Sequence, residues 1–290
     1  MKFGYTLFGV RPTEYGAVAQ RAEAAGFESI WMPEHLVFPA EMPATYPYSE
    51  SGQPPVYPGS PLYDPWVTLA FAAASTQRIR LGSHVYILPL RHPLVTARAF
   101  TTLDVLSHGR AILGAGVGWL AEEFALVGES FRNRGARSDE IIELLRKLWS
   151  EKIVQHRGRH YELGPLRFEP KPVQKPGPPI EIGGTSDAAV ERAARLGDGW
   201  LATGPLELDA LAARIGQIRA RRRELGRDAL PFEISMGNRL SLDRESVRRY
   251  AEVGVTRLML APGFPSEGKF TLDFVFDFLD RCGDEVIAQG

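Results

Sequence analysis

The sequence predicts an α/β fold, a (β/α)8 TIM barrel, from three observations. Short apolar runs alternate with segments of helical periodicity along the chain. Eight such strand–helix units can be counted, spread over roughly the 250 residues a barrel of this kind occupies. The 290 residues are 44% hydrophobic and 24% charged, enough apolar content to bury a large core. An open doubly wound sheet is the alternative arrangement of the same alternation.

Lys2 to Phe8 reads as the first strand. The helix after it, Thr13 to Ala25, places Tyr15, Val18, Ala19 and Ala22 at helical spacing. Gly26 stands where a helix ends in a left-handed residue, and Ser29 to Pro33 follows as the second strand. Pro65 to Ser75 is helical, Ile79 to Leu88 extended, Pro93 to Leu106 helical and Arg110 to Ala115 extended. A helical stretch from Trp119 to Leu126 precedes a longer helix expected to begin at Ser138 as N-cap. There Asp139 and Glu140 would favour the helix dipole, and Ile141, Leu144, Leu145 and Leu148 form a buried stripe. The remaining strands are Pro179 to Ile182, Gly199 to Ala202, Phe232 to Met236 and Thr256 to Leu260. Helices at Asp187 to Leu196, Glu207 to Leu225, Arg244 to Val253 and Leu272 to Arg281 complete the pattern.

One barrel domain is therefore expected over residues 1–290, with two interruptions. Leu36 to Asp64, inserted after the second strand, holds seven prolines and Tyr46, Tyr48, Tyr57 and Tyr63. So long a loop is either a solvated excursion or functional, and its tyrosines favour a lid (36–64) over the active-site face. Residues 151–178 read as an inserted hairpin, with its tip at His156 to His160, followed by a Pro/Lys-rich linker.

Charge and cysteine content narrow the function. The 34 basic and 35 acidic side chains leave a net charge of −1, which offers a polyanion nothing, so no nucleic-acid partner is expected. The single cysteine, Cys282, excludes a disulfide framework and a thiolate cluster. No stretch approaches 18 apolar residues and the first residues lack a signal-peptide layout. A cytoplasmic enzyme without membrane contact, acting on a small molecule, is the expectation.

In a barrel the chemistry sits where strands end. The second strand ends in Glu34-His35, either an ordinary loop pair or an orienting carboxylate beside an acid/base. The third ends near His84-Val85, where a satisfied core histidine is the competing reading. Arg91 and His92 beyond it suit a bound anion or a helix cap. The fourth ends Gly114-Ala115-Gly116-Val117-Gly118-Trp119, whose alternate glycines allow close approach to the backbone but do not match G-x-G-x-x-G. After the fifth, Gly183-Gly184-Thr185-Ser186 enters a helix, a cradle suited to phosphate as well as a cap.

Two other signals are set aside. Gly263 to Phe270 nearly spells a P-loop, but Phe270 stands where the metal-binding hydroxyl belongs, and only Gly263 stays a minor phosphate candidate. Of the six histidines only His156 and His160 have ligand-like spacing, and Gly158 between them argues against one helical face. No metal site is expected.

Taken in order, several segments resemble the bacterial-luciferase-like flavin and deazaflavin oxidoreductases. They are Leu103 to Arg110, Gly114 to Trp119 with Glu122-Glu123-Phe124, Gly135 to Glu140, Gly183 to Ser186 and Arg195 to Trp200. The spacing is most similar to the branch using coenzyme F420. The resemblance implies a barrel holding F420, with FMN as the alternative, and commonly a homodimer. It implies His35 as acid/base or substrate-orienting group, with Glu34 replacing the branch's usual Asp beside the ring, and a cis peptide at His84–Val85 behind it. Gly116 and Val117 would lie along the ribityl chain, and Gly183, Gly184, Thr185 and Ser186 would hold the phosphate. The sugar-phosphate dehydrogenases of the branch carry a catalytic glutamate where this chain has Trp119; Glu122 and Glu123, one helical turn on, need not reach the ring. The expected reaction is hydride transfer between the deazaflavin and a small, less polar organic substrate, with FMN-dependent monooxygenation as the alternative.

Overall fold

Parallel strands with short apolar runs need both faces covered, and here the sheet closes on itself inside a ring of helices. The computed structural model describes all residues except 44, 50, 55, 205, 239–242, 264–269 and 289–290. In chain order its strands are β1 (Lys2–Thr6), β2 (Ser29–Met32), β3 (Arg80–Ser83), β4 (Tyr86–Ile87), β5 (Ala111–Gly116), β6 (Val154–Arg157), β7 (Glu162–Leu166), β8 (Ile180–Gly183), β9 (Gly199–Ala202), β10 (Glu233–Asn238) and β11 (Arg257–Leu260). The helices are α1 (Tyr15–Ala24), α2 (Pro65–Ala74), α3 (Pro93–Leu106), α4 (Ala121–Leu126), α5 (Arg134–Ser150), α6 (Asp187–Leu196), α7 (Leu208–Glu224), α8 (Arg244–Val253) and α9 (Leu272–Cys282).

The sheet order is β3-β2-β1-β11-β10-β9-β8-β5-β4, and a further β3–β5 pairing closes it into a barrel of eight positions, all parallel. The third position is shared by β3 and β4, so the single strand expected over Ile79 to Leu88 is broken at His84–Val85. The antiparallel pair β6–β7 stands apart as the expected hairpin. Between β2 and α2 the described part of Leu36–Asp64 contains no helix or strand.

Side chains alternate across each strand, so one set fills the barrel and the other packs under the helices. Inside, Trp31, Ile112, Leu201 and Met259 form a buried cluster, with Val85 packed against it. The indole of Trp31 takes most of that room: a Cβ at Gly4 would lie 2.7 Å from its Nε1, and one at Gly82 would overlap its six-membered ring. Outside, a larger core joins the helices to the strands, with Phe100, Trp149, Trp66 and Tyr86 in mutual ring contact.

The long helix corrects one expectation. It begins at Arg134, with Asn133 before it, and Ser138 lies buried inside rather than capping. The Ser138 hydroxyl donates to the Arg134 carbonyl at 2.8 Å, one turn back. Asp139 pairs with Arg192 and Arg195 of α6, and Glu140 holds the hairpin, so neither acts as a first-turn charge. Among the described residues no helix is long and apolar enough to cross a membrane.

Candidate active site

The C-terminal strand ends surround a cavity of about 330 Å³. Glu34 and His35 enter it from β2, His84 and Val85 from the break between β3 and β4, and Gly116 to Trp119 from the end of β5. Gly183, Gly184 and Ser186 close the side beside α6, with Thr203 and Gly204 after β9. The inserted segment contributes Tyr46, Tyr48 and Val56. Of the residues singled out from the sequence, His35, Glu34, His84, Val85, Gly116, Val117, Gly183, Gly184 and Ser186 thus border one space, whereas Thr185 does not line it.

His35 is held from both sides. Its Nδ1 lies 2.9 Å from Glu123 Oε2, and the Trp119 indole N–H donates to its Nε2 at 3.3 Å. An indole can only donate, so Nε2 carries the lone pair and Nδ1 the proton directed at the carboxylate. The other oxygen of Glu123 accepts from the backbone N–H of Leu36 at 2.6 Å and of Val37 at 3.3 Å. Glu123 is wholly buried in the first turn of α4, where a carboxylate is favoured by the helix dipole.

Glu34 does not orient His35. Successive residues of an extended chain point to opposite sides, and the Glu34 carboxylate turns inward instead. It accepts from the Ile87 backbone N–H at 2.7 Å and from Arg91 Nη2 at 2.6 Å. Arg91 also stacks on the Tyr86 ring, 4.6 Å from its centroid. The pair ties β2 to β4 and the turn beyond. His92 takes the cap role: its Nδ1 accepts from the Leu94 N–H, at the start of α3.

The alternate glycines serve the chain itself. The His84–Val85 peptide is cis, and Val85 projects between the ends of β5 and β8. A Cβ on Gly116 would overlap the Val85 side chain, and one on Gly183 would come within 2.5 Å of it. A Cβ on Gly114 would overlap the Ser83 carbonyl. These glycines therefore make room for the break in the third strand, which then presents Val85 to the cavity.

Opposite Val85, Gly184 has φ +114°, its N–H donates to the Leu201 carbonyl at 3.1 Å and its carbonyl accepts from Trp200 Nε1 at 2.7 Å. Ser186 caps α6 by accepting from the Ala189 N–H at 3.2 Å, leaving the positive end of the helix dipole at the cavity wall. Two polar atoms in the wall, His84 Nε2 and Thr203 Oγ1, are buried with no hydrogen-bond partner among the described residues. Burial pushes the His84 imidazole down to about 4, so it is neutral at neutral pH. Over the mouth, Tyr46 stacks edge-on against Trp119 (5.1 Å) and Tyr48 (5.4 Å).

Glu123 and Thr203 were not singled out as site residues. Helical spacing from Trp119 could not have found Glu123, because Trp119 lies before α4 and Leu120 between them is extended. Among the described residues no three His, Cys, Asp or Glu side chains gather as a metal site requires. The near-P-loop falls mostly on 264–269, outside the described residues.

The family model for luciferase-like monooxygenases matches residues 1–273. An uncharacterized protein of Mycobacterium tuberculosis is 36% identical over 265 residues, covering 90% of this chain and 88% of that protein. The F420-dependent glucose-6-phosphate dehydrogenase of Amycolatopsis mediterranei is 32% identical over 213 residues, 70% of this chain and 57% of that enzyme. Among solved structures, a monooxygenase from Streptomyces bottropensis superposes with TM-score 0.79 at 23% identity, covering 100% of this chain and 99% of that one. An F420-dependent secondary alcohol dehydrogenase bound to an F420–acetone adduct does so with TM-score 0.77 at 19% identity, covering 99% and 98%. Barrel closure, the strand-end cavity and a family match over nearly the whole length agree: the chain belongs to the luciferase-like monooxygenase family, a superfamily of oxidoreductases.

Proposed function

We propose that this protein is an oxidoreductase that moves a hydride between coenzyme F420 and a small organic substrate, with His35 handling the accompanying proton. The observation that carries the reading is the Glu123–His35 pair, which keeps a lone pair on Nε2 at the edge of a cavity bordered by the strand ends. The relatives named as F420-dependent dehydrogenases support the choice of cofactor.

The residues present fit such a group. The Val85 side chain offers an apolar support for a flat ring, and the unpartnered His84 Nε2 and Thr203 Oγ1 offer hydrogen bonds to its polar edge. Gly116 and Val117 would flank the ribityl chain. The α6 terminus, with Gly183, Gly184 and Ser186, would hold the phosphate. When bound, the deazaflavin supplies a carbon that accepts or returns a hydride. In alcohol oxidation the hydroxyl proton passes to His35 Nε2 as the carbinol hydrogen leaves as hydride; in carbonyl reduction both return. Glu123 fixes the ring and faces the cation formed at His35. Tyr46, Tyr48 and Trp119 act as a lid that keeps water from the exchange.

A homodimer in the cytoplasm belongs to the same reading. Val67 and Phe71 of α2 and Val95 of α3 are more than half exposed and give an apolar surface for a second copy to cover. Sedimentation equilibrium would return the monomer mass if that surface stays free.

Parallel fluorescence titrations with F420 and FMN test the cofactor. Tight binding of F420 alone is expected; binding of FMN alone would replace this reading with flavin-dependent monooxygenation, and oxygen uptake would then be assayed. His35→Ala is expected to leave F420 affinity within a few-fold while turnover falls on the order of 10²–10⁴-fold, the usual contribution of a positioned acid/base.

A further inference from the structure

A second cavity, of about 310 Å³, adjoins the first and shares Pro33, Glu34, His35 and Val56 with it. We infer that this second cavity is the substrate pocket and that it selects an uncharged, largely apolar molecule, such as an aryl or alkyl ketone or the corresponding alcohol. The inference rests on the proposed hydride transfer, because it assigns to His35 a ligand on each side.

Most of its walls come from residues that do not line the cofactor cavity. Phe8 and Val10 follow β1, Met32 ends β2, and Phe38 and Leu62 belong to the inserted segment. Glu34 is the one charged side chain bordering this space among the described residues, and Arg91 and the Ile87 N–H already occupy its carboxylate, which is 0% exposed. No lysine or arginine among the described residues lines either cavity. Among the described residues a phosphate or carboxylate placed here meets no cationic side chain to offset its desolvation, which is strongly unfavourable.

Among the described residues polar recognition is limited to His35, Ser60 and the tyrosines Tyr15 and Tyr63. The Ser60 hydroxyl already accepts from the Tyr57 N–H. Burial, with Tyr63 beside it, pushes the Tyr15 hydroxyl up to about 12, so that hydroxyl stays protonated through the neutral range. What remains is an apolar volume with a few hydrogen-bonding groups, one of them the proposed proton carrier. A sugar phosphate, the substrate in the name of the Amycolatopsis relative, finds no cationic side chain among the described residues here.

The test compares two ligands of one skeleton on the full chain, with and without F420: 2-acetylnaphthalene, neutral, and 2-naphthoate, anionic. Intrinsic tryptophan quenching should show the ketone binding at least tenfold more tightly than the carboxylate. Leu62→Asp, on the inserted segment, should weaken the ketone at least tenfold and leave the separately titrated F420 affinity unchanged. Reduced F420 should be consumed with the ketone and not with the carboxylate. Equal or tighter binding of naphthoate overturns the inference, as does ketone affinity indifferent to Leu62→Asp, or no ketone binding up to its solubility. A failed F420 titration alongside intact ketone selectivity would instead remove the cofactor reading and leave an apolar pocket in place.

Discussion

The two ends of the barrel both bury carboxylates against nitrogen bases, and they do opposite things with them. Near the N-terminal strand ends Arg257 is fully buried and donates to Glu181 at 2.8 and 2.9 Å, to Ser235 at 2.8 Å and to Glu28 at 3.0 Å, with its guanidinium over the Trp31 ring. Burial alone would lower its pKa, but the carboxylates of Glu181, Glu28 and Glu233 raise it above the ordinary value. Nothing in that network faces a cavity described above. At the C-terminal ends Glu123 and His35 are paired as firmly, yet His35 lines both cavities. A closed network can only hold the fold, whereas an open one can exchange a proton.

The largest effect expected from this contrast is at the closed end. Arg257→Met leaves Glu181 buried without a counter-charge, and about 3–5 kcal/mol of stability should go, read by urea unfolding. Adding Glu181→Met should restore much of it, because two apolar side chains replace a pair that was costly to desolvate. If the double variant were no better than the single, the floor of the barrel would depend on those hydrogen bonds specifically.

At the open end the same kind of change should cost rate before stability. Glu123→Gln can still accept from the Leu36 N–H, but its amide then presents a donor to His35 Nδ1 and favours the other tautomer. Turnover should fall about a hundredfold, the lower range for a positioned acid/base, with an altered pH–rate profile. An unfolding midpoint that dropped as far as in Arg257→Met, with no change in that profile, would make Glu123 a structural residue and erase the contrast.

Trp119 sharpens the comparison on a smaller scale. Its N–H occupies the Nε2 lone pair that a substrate hydroxyl must reach. Trp119→Phe keeps a ring against Tyr46 and removes that competitor, so KM should fall up to about fivefold, the worth of one net hydrogen bond of about 1 kcal/mol. A fall in kcat with KM unchanged would show that the indole orients His35 rather than competing for it.

The barrel was legible because its code is repetitive. Each strand–helix unit restates the same alternation, and α3, α6, β9 and α8 run as the periodicity indicates. What was not legible depends on contacts far apart in sequence. Ser138 looks like a cap locally, but the turn before it is helical because Arg134 bonds back to Phe131, and Arg137 to Glu129 and Asn133, in the loop after α4. Glu34 sits beside His35 in sequence and faces away from it, while Glu123 reaches it from 88 residues further on. Of the glycines of β5, Gly114 makes room for the Ser83 carbonyl and Gly116 for Val85, contacts that the sequence does not announce. Strand ends marked where the cavity lies, and only packing decided which neighbour each group meets.

A third carboxylate network, outside the barrel, is where the smallest effect is expected. Glu140 of α5 accepts from His156 Nε2 at 3.0 Å and from the backbone N–H groups of His160 and Tyr161 at 2.9 Å each, pinning the β6–β7 turn. Gly158 is required there, since a Cβ would overlap the carboxylate. Burial alone would raise the Glu140 carboxyl, but the His156 ring and the two N–H groups hold it below its ordinary value of 4.5. A depressed carboxyl stabilises the folded hairpin fully above its unfolded value, and that contribution fades as pH falls through the lower folded value. Amide exchange at His160 and Tyr161 should therefore quicken, relative to barrel amides, only below about pH 4.5, by on the order of 1 kcal/mol in protection or less. In Glu140→Gln that acid-dependent difference should vanish. If it persisted, the titration would belong to another group, and the hairpin would be held by its backbone alone.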